Sequence, residues 1–476
     1  MFPEALSFKD VLLVPQRSGI RTRRDADVSG RFSTGIALKT PLVSANMDTV
    51  TESATAIAMA RLGGLGIVHR FLTIGEEVGE VLKVKRAENI VIDSPYVVRR
   101  SDTVAEARRV MRECEVGGLL VVDGAGRLEG VVTDRDVRFV EDGTLPVRRV
   151  MSTQLVTARP GVPLEAARRL LGRHKIEKLP LVDKGGKLKG LITAKDILKR
   201  QRFPDASKDR RGHLLVGAAV GVIGDYLERA RALQDAGADV LVMDVAHGHA
   251  EHAIAALRRI KKACPSAEVV AGNVATYAGA RDLVRAGADG VKVGVGPGAT
   301  CSTRVVSGHG VPQLSAVLDC ARLTRTTGVP ICADGGIRDS GDLAKALAAG
   351  ASCAMIGSLF AGTDESPGWT IVREGMRYKV YRGMASLGAT LGRRQKEGAR
   401  LPDNDEVSEV VPEGVESMVP YRGRIAEVVH QLVGGLRSGL SYSGARDLKS
   451  FQRKAKFVRI TAAGWAESIP RKGVIS

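Results

Sequence analysis

The strongest constraint on the fold is a repeated alternation of short apolar segments with amphipathic helical patterns. The apolar segments are, in chain order, TPLVSANMD, GLGIVHR, LLVGAAVG, DVLVMDVAHGH, EVVAGNVAT, DGVKVGVGPG, VPICADGG and SCAMIGS. None alternates polar and apolar residues, and helical patterns such as SGDLAKALAAGA follow them. Such strands are typical of a parallel sheet that is buried on both faces. Eight strand–helix units therefore predict an α/β fold, a (β/α)8 TIM barrel.

An internal repeat interrupts the barrel pattern after its second strand–helix unit. The segment LLVVDGAGRLEGVVTDRDV (119–137) recurs as LPLVDKGGKLKGLITAKDI (179–197). Each copy predicts two strands joined by a glycine turn and then a helix that begins at Thr-x-x-Asp. We therefore predict a barrel formed by 1–88 and 204–476, with the repeat pair inserted as 89–203.

The Thr-x-x-Asp residues at the two helix starts allow two interpretations. Thr133 and Asp136 in the first copy, and Thr193 and Asp196 in the second, could cap their helices. They could also hold the ribose of a nucleotide whose phosphates face the helix N-terminus. The repeat resembles a pair of cystathionine-β-synthase-type (CBS) domains, which implies that these four residues contact a regulatory nucleotide such as ATP or GTP. A degenerate pair without a ligand is the alternative.

Composition and charge narrow the classes of partner. The net charge of +18 would suit a polyanion, but lysine and arginine are dispersed and aromatic residues make up only 4%. These features argue against a nucleic-acid-binding surface. Neither a signal-peptide pattern nor an apolar segment of membrane-spanning length occurs, so we expect a cytoplasmic protein without membrane contact. The six cysteines have no CxxC spacing, and Cys332 and Cys353 lie in apolar segments that predict burial.

Polar residues and glycines follow seven of the eight predicted strands. In a barrel of this type the active site lies at the C-terminal ends of the strands, where these residues would meet. Cys301 is the exceptional cysteine, because it follows a glycine-rich segment, GVGPGATC, at such an end. The residues at the strand ends are Asn46-Met47-Asp48, His69, Asp244, Asn273, Gly294 to Thr303, Asp334-Gly335-Gly336 and Gly357-Ser358.

Eight motifs in the same order resemble those of the IMP dehydrogenase/GMP reductase family over essentially the whole chain. They are LSFKDVLLVPQRS (6–18), ANMDTV (45–50), GPGATCSTR (296–304), GVPQLSAV (310–317), ADGGIRDSGD (333–342), IGSLFAGTDESPG (356–368), YKVYRGMASLGA (378–389) and VPEGVE (411–416). The resemblance implies that Cys301 attacks C2 of a purine 5′-monophosphate and forms a thioimidate. It further implies that Thr303 assists at the same carbon and that Glu413 faces N1 of the base.

The resemblance also implies a set of binding residues. The substrate would contact Asn46, Met47, Asp334 at the ribose, Gly336, Gly357, Ser358 and Tyr381 at the phosphate, and Gly383, Met384 and Ala385 at the base. Asp244 and Asn273 would lie on the nicotinamide side, and the backbone carbonyls of Gly296, Gly298 and Cys301 would bind potassium. One position departs from the family, which usually has serine where this chain has Ala299. The missing hydroxyl removes one phosphate hydrogen bond, worth about 0.5–1.5 kcal/mol.

The segment 390–410 bears on which of the two family reactions the chain performs. Dehydrogenases that resemble this chain bring an Arg-Tyr pair on this flap to activate water, whereas a reductase must exclude water. The flap contains arginines but no tyrosine, which favours a GMP reductase that uses NADPH. An IMP dehydrogenase that uses NAD is the alternative, supported by VVSGHGVPQLSAV and the RGMASLGA to VPEGVE frame. A catalytically silent nucleotide-sensing paralogue is the second alternative. The resemblance implies a homo-oligomer, either a tetramer or an octamer.

Overall fold

The computed structural model describes residues 2–88, 92, 95–114, 116–195, 197, 203–396 and 411–469. The chain divides into two compact units. The first comprises Met1–Ala87 and Asp205–Ser476, and the second comprises Glu88–Pro204.

The first unit contains a closed barrel of eight parallel strands, which confirms the predicted (β/α)8 TIM-barrel fold. Each strand pairs with the next along the chain, and the last pairs with the first. Their side chains are almost entirely buried, as uninterrupted apolar strands require. The strands are β1 (Leu42–Ser44), β2 (Leu65–Val68), β3 (Gly217–Val220), β4 (Val240–Asp244), β5 (Glu268–Val274), β6 (Gly290–Val293), β7 (Ile331–Asp334) and β8 (Cys353–Ile356).

One helix of the outer layer follows each strand. Six of these helices are followed by a residue in a right-handed or bridging conformation, whereas the helix Gln313–Thr327 is followed by Gly328, which has a φ of 74°. The helices are α1 (Ser53–Arg61), α2 (Ile74–Arg86), α3 (Tyr226–Asp235), α4 (Glu251–Ala263), α5 (Tyr277–Arg285), α6 (Gln313–Thr327), α7 (Ser340–Ala348) and α8 (Ile425–Tyr442).

Shorter elements complete the first unit. A three-stranded antiparallel sheet is formed by Thr370–Arg373, Met376–Arg382 and Glu416–Pro420. Two antiparallel pairs are Val11–Leu13 with Phe457–Arg459 and Gly30–Arg31 with Ala37–Leu38. The remaining helices are Phe8–Asp10, Arg23–Asp25, Thr303–Ser307, Ser358–Ala361, Leu387–Lys396, Leu448–Lys454 and Ala462–Glu467.

The second unit is built from the two sequence repeats. They are joined by a reciprocal pair of backbone hydrogen bonds, from Leu128 N to Gly186 O at 3.1 Å and from Leu188 N to Gly126 O at 2.9 Å. Each repeat has its own cluster of buried apolar residues. The strands of the second unit are Val97–Arg99, Gly118–Val122, Leu128–Thr133, Lys178–Val182 and Leu188–Thr193. The helices of this unit are Val104–Glu113, Asp134–Val137, Val147–Arg149 and Leu164–His174.

The first predicted nucleotide-binding pair of the second unit forms a helix cap. The Thr133 backbone N–H and hydroxyl donate to Asp136 Oδ2 at 2.8 and 2.7 Å, and these contacts begin the helix Asp134–Val137. Thr133 and Asp136 therefore cap this helix, and their contact with a nucleotide stays a prediction. Thr193 ends a strand at the equivalent position, and Asp196 lies outside the described residues. Over the ranges that the structure describes, no helix combines the length and apolarity needed to cross a membrane.

Candidate active site

A cavity of about 680 Å³ opens at the C-terminal ends of the barrel strands. It brings together every residue that the sequence assigns to catalysis, substrate, nicotinamide or potassium, although their individual roles stay predictions. Ser7 and Phe8 from the N-terminal segment also line it. The predicted residues in its wall are Asn46, Met47, Asp244, Asn273, Gly296, Gly298, Cys301, Thr303, Asp334, Gly336, Gly357, Ser358, Tyr381, Gly383, Met384, Ala385 and Glu413.

The loop after β6 presents Cys301 to this cavity. Gly294 has a φ of 151°, and a Cβ there would lie 2.1 Å from the Asp334 carbonyl oxygen, so this position requires glycine. The loop is fixed to the segment around Glu413 by two backbone bonds, Ser302 N to Glu413 O at 3.0 Å and Val415 N to Thr300 O at 2.9 Å. Cys301 is exposed, whereas Cys264, Cys320, Cys332 and Cys353 are buried, as predicted for Cys332 and Cys353.

Three side chains form a directed hydrogen-bond series at the cavity wall. The Cys301 thiol donates to Thr303 Oγ1 at 3.2 Å, and the Thr303 hydroxyl donates to Glu413 Oε2 at 2.7 Å. A carboxylate at the end of such a series can accept a proton through the hydroxyl and later return it. The series can therefore convert the thiol into a thiolate and protonate a leaving group at the same place.

Tyr381 and the loops after β7 and β8 form a polar end of the cavity. Gly336 has a φ of 80°, and a Cβ on Gly357 would lie 2.9 Å from the Tyr381 hydroxyl oxygen. Burial raises the pKa of Tyr381 to about 12, so its hydroxyl stays protonated and can donate a hydrogen bond. Together with the Ser358 hydroxyl, the Tyr381 hydroxyl gives this end hydrogen-bond donors, an arrangement that suits a phosphate.

A buried lysine, Lys292, lies on the other side of the cavity. Its ammonium Nζ is 2.6 Å from Asp334 Oδ2 and 3.3 Å from Asp244 Oδ1. Burial alone would lower the pKa of Lys292, but the two carboxylates outweigh it and the pKa is raised. Burial likewise would raise the pKa of Asp244, but Lys292 and Arg70 lower it below its usual range. Lys292 and Asp244 are therefore both charged at neutral pH.

Sequence reasoning did not identify Lys292. The one signal was a charged residue within an otherwise apolar strand, GVKV. A lysine that interrupts a strand buried on both faces needs a partner inside the barrel, because a buried unpaired charge is costly. The sequence does not show which carboxylates supply it.

The glycine-rich loop has the donor type that potassium requires. Backbone carbonyl oxygens suit a hard monovalent cation. The Gly298 carbonyl accepts one bond from Cys301 N at 3.2 Å, and within the described ranges no hydrogen bond reaches the carbonyls of Gly296 or Cys301. The residues present therefore fit the predicted ion.

Some predicted residues do not join this cavity. His69 follows β2 but is buried away from its wall, with Nε2 at 3.4 Å from Glu52 Oε1. Most of the flap 390–410 lies outside the described residues, which end at 396 and resume at 411.

An exposed thiol that is linked through a hydroxyl to a carboxylate, at the strand ends of a (β/α)8 barrel, is typical of an enzyme with a cysteine nucleophile. The model of the IMP dehydrogenase / GMP reductase domain matches residues 5–471, and the chain belongs to this family of oxidoreductases. The predicted family is thereby confirmed.

Proteins similar to this chain include both IMP dehydrogenases and GMP reductases. The chain is 53% identical to inosine-5′-monophosphate dehydrogenase of Nitrosopumilus maritimus, covering 98% of each chain, and 48% identical to that of Bacillus subtilis, covering 98% and 95%. Among solved structures, a GMP reductase variant from Trypanosoma brucei in complex with guanosine 5′-monophosphate has a TM-score of 0.93 at 43% identity, covering 99% and 98%. The same organism's GMP reductase in complex with guanosine 5′-triphosphate has a TM-score of 0.82 at 39% identity, covering 97% and 99%.

Proposed function

We propose that the protein is a GMP reductase that converts GMP to IMP and ammonia with NADPH. The observation that carries the proposal is that the sequence contains no aromatic residue between Tyr381 and Tyr421, a span that includes the flap 390–410. The chain thus lacks the tyrosine that would activate water at C2. Without hydrolysis, the route open to a purine–cysteine intermediate is reduction.

The hydrogen-bond series supports the deamination half of this reaction. The Cys301 thiolate attacks C2 of GMP, and the proton taken up by Glu413 through Thr303 goes to the departing 2-amino group. The C2–N bond breaks, ammonia leaves and a thioimidate remains. Hydride addition at C2 then breaks the C–S bond, which gives IMP and returns the electron pair to the sulfur as thiolate.

NADPH and potassium would occupy separate parts of the cavity. NADPH supplies the hydride, and Asp244 and Asn273 would face its nicotinamide. Gly296, Gly298 and Cys301 would hold potassium through their carbonyl oxygens, which would fix the loop that carries the thiol. The Asp334 carboxylate would accept hydrogen bonds from the ribose hydroxyls of the nucleotide.

IMP dehydrogenase is the second candidate, because the curated relatives with 47–53% identity carry that name. The same Thr303–Glu413 pair could accept a proton from water at C2, and the cofactor would then be NAD. The overall similarity reflects ancestry, whereas the flap composition concerns the hydrolytic step itself. We therefore rank the reductase first.

Two parallel spectrophotometric assays with potassium separate the candidates. The purified protein is followed at about 340 nm, where the reduced cofactor absorbs, with GMP plus NADPH and separately with IMP plus NAD. The reductase predicts loss of absorbance only in the first assay. Cys301→Ala should abolish it, and Cys114→Ala, a thiol in the second unit, should leave it unchanged. A rise only in the second assay would refute the reductase, and silence in both with intact GMP binding would favour the nucleotide sensor.

We further propose that the repeat pair of the second unit binds a purine nucleotide that regulates the barrel. The support is the CBS-like repeat and the similarity to a GMP reductase solved with guanosine 5′-triphosphate. The test measures turnover with and without GTP or ATP in the wild type and in Asp136→Ala. Regulation predicts a nucleotide effect that the variant loses, whereas equal rates throughout would contradict it.

A further inference from the structure

We propose that Lys292 is a positioning residue for ribose recognition: its ammonium holds the Asp334 carboxylate in the orientation that accepts the ribose hydroxyls. The inference deepens the proposed function and rests on it only for the assignment of Asp334 to the ribose. Both candidate reactions use a purine 5′-monophosphate, so the inference does not depend on which of them occurs.

The position of Lys292 in the barrel limits the ion-pair partners that its ammonium can reach. The residue belongs to β6, between buried valines, and only 3% of its side chain is exposed. A buried ammonium must be paired, because removing it from water is costly. Its partners come from two other strands, Asp334 at the end of β7 and Asp244 at the end of β4.

Among the described residues, every hydrogen bond to the Asp334 carboxylate is made to one of its two oxygens. Oδ2 accepts from Lys292 Nζ at 2.6 Å and from Asn273 Nδ2 at 3.0 Å. The backbone of Asp334 is fixed as well, because Gln313 Nε2 donates to its carbonyl oxygen at 3.0 Å. Two donors on Oδ2 and a fixed backbone set the side-chain rotation. Oδ1, which no described residue contacts by a hydrogen bond, is then left for the ligand.

Binding of a nucleotide pair that differs only in the ribose hydroxyls tests this role. The probes are GMP and 2′,3′-dideoxyguanosine 5′-monophosphate, and calorimetry gives the two dissociation constants without turnover. The quantity compared is the ratio of the dissociation constant of the dideoxy nucleotide to that of GMP. In the wild type we expect this ratio to be about ten or more, because the dideoxy nucleotide cannot donate hydrogen bonds to the charged Asp334 carboxylate. Lys292→Met should reduce this ratio to about twofold or less, mainly by weakening GMP binding.

The chain contains a closely matched control. Lys85 also bridges two aspartates, with Nζ at 2.6 Å from Asp239 Oδ2 and 3.2 Å from Asp209 Oδ2, and 11% of its side chain is exposed. Neither aspartate lines the cavity. Lys85→Met removes an equivalent ion-pair bridge and should preserve the wild-type ratio, even if both variants lower the unfolding temperature.

A second variant keeps the test valid if Lys292→Met does not fold. Lys292→Gln removes the charge but can still donate a hydrogen bond to one carboxylate, and it should lower the ratio by about threefold or more. An unchanged ratio in either folded Lys292 variant, or an equal loss in Lys85→Met, would overturn the inference. A wild-type ratio near one would overturn it too, because Asp334 would then not recognise the ribose. A failed reductase assay with an intact binding ratio would refute only the proposed reaction.

Discussion

Replacement of Glu413 by glutamine tests the proton pathway at the reacting carbon. The amide oxygen of Gln can still accept the Thr303 hydroxyl at the 2.7 Å observed for the carboxylate, so the side-chain packing and the hydrogen bond are retained. The amide cannot take up a proton at neutral pH, so the Cys301 thiol loses its acceptor and the leaving amine loses its donor. Proton transfer by a positioned group contributes about 10²–10⁴ to a rate.

We therefore expect kcat of Glu413→Gln to fall by at least about 10²-fold, which corresponds to roughly 2.7 kcal/mol of transition-state stabilisation. The dissociation constant for GMP should change by about threefold or less, because the hydrogen bond is kept. Steady-state rates at 340 nm and calorimetric GMP binding measure the two quantities separately.

The matched control is Glu268→Gln at the opposite end of the barrel. Glu268 Oε2 accepts from Thr34 Oγ1 at 3.2 Å, so this pair repeats the Thr–Glu contact outside the cavity. The control should retain full activity. A kcat for Glu413→Gln within a few-fold of the wild type would show that the series does not move the catalytic proton, and the mechanism would then need another acid.

Three further predictions concern binding and domain independence. Ala299→Ser should tighten GMP binding about 2–10-fold by adding a phosphate hydrogen bond, as calorimetry would detect, and no gain would mean that residue 299 does not face the phosphate. Tyr381→Phe should weaken GMP binding by a similar factor. Because burial raises the pKa of Tyr381 to about 12, that factor should stay constant from about pH 7 to about pH 10; a decline towards pH 10 would indicate ionisation of the hydroxyl. Replacing 88–204 by a short linker should leave a folded, active barrel, since the Lys85–Asp209 ion pair at 3.2 Å holds the flanking segments together; loss of cooperative thermal unfolding would contradict this.

The sequence predicted the barrel because its strands have an unusual composition. Strands buried on both faces are mostly apolar, and eight of them with helices between leave few alternative folds. The same regularity located the site, because residues that follow parallel strands meet at one end of a barrel. Most of the polar residues at those ends could therefore be identified without a structure. Asp48 and His69 do not line the cavity: Asp48 accepts from Arg382 Nε at 2.8 Å, and His69 Nε2 lies 3.4 Å from Glu52 Oε1.

Contacts between residues distant in sequence were harder to predict. Lys292 pairs with Asp244 and Asp334, which are 48 and 42 residues away, and only the closed barrel brings the three together. Likewise, the bond between Thr303 and Glu413 spans 110 residues and depends on the backbone bonds that join their two loops. Local sequence patterns carry no information about which distant residues come into contact. The sequence therefore indicated which residues could take part in binding or catalysis, but not which of them act together.

The reciprocal bonds between the two repeats have an evolutionary consequence. Leu128 N–Gly186 O and Leu188 N–Gly126 O involve only the main chain, so substitution of neighbouring side chains does not remove them. The conformational demand falls on the two glycines, which both have a φ of 78°. After a duplication, each copy could accumulate different surface residues while these two backbone hydrogen bonds were kept. The two halves are therefore free to diverge in surface chemistry without separating from each other.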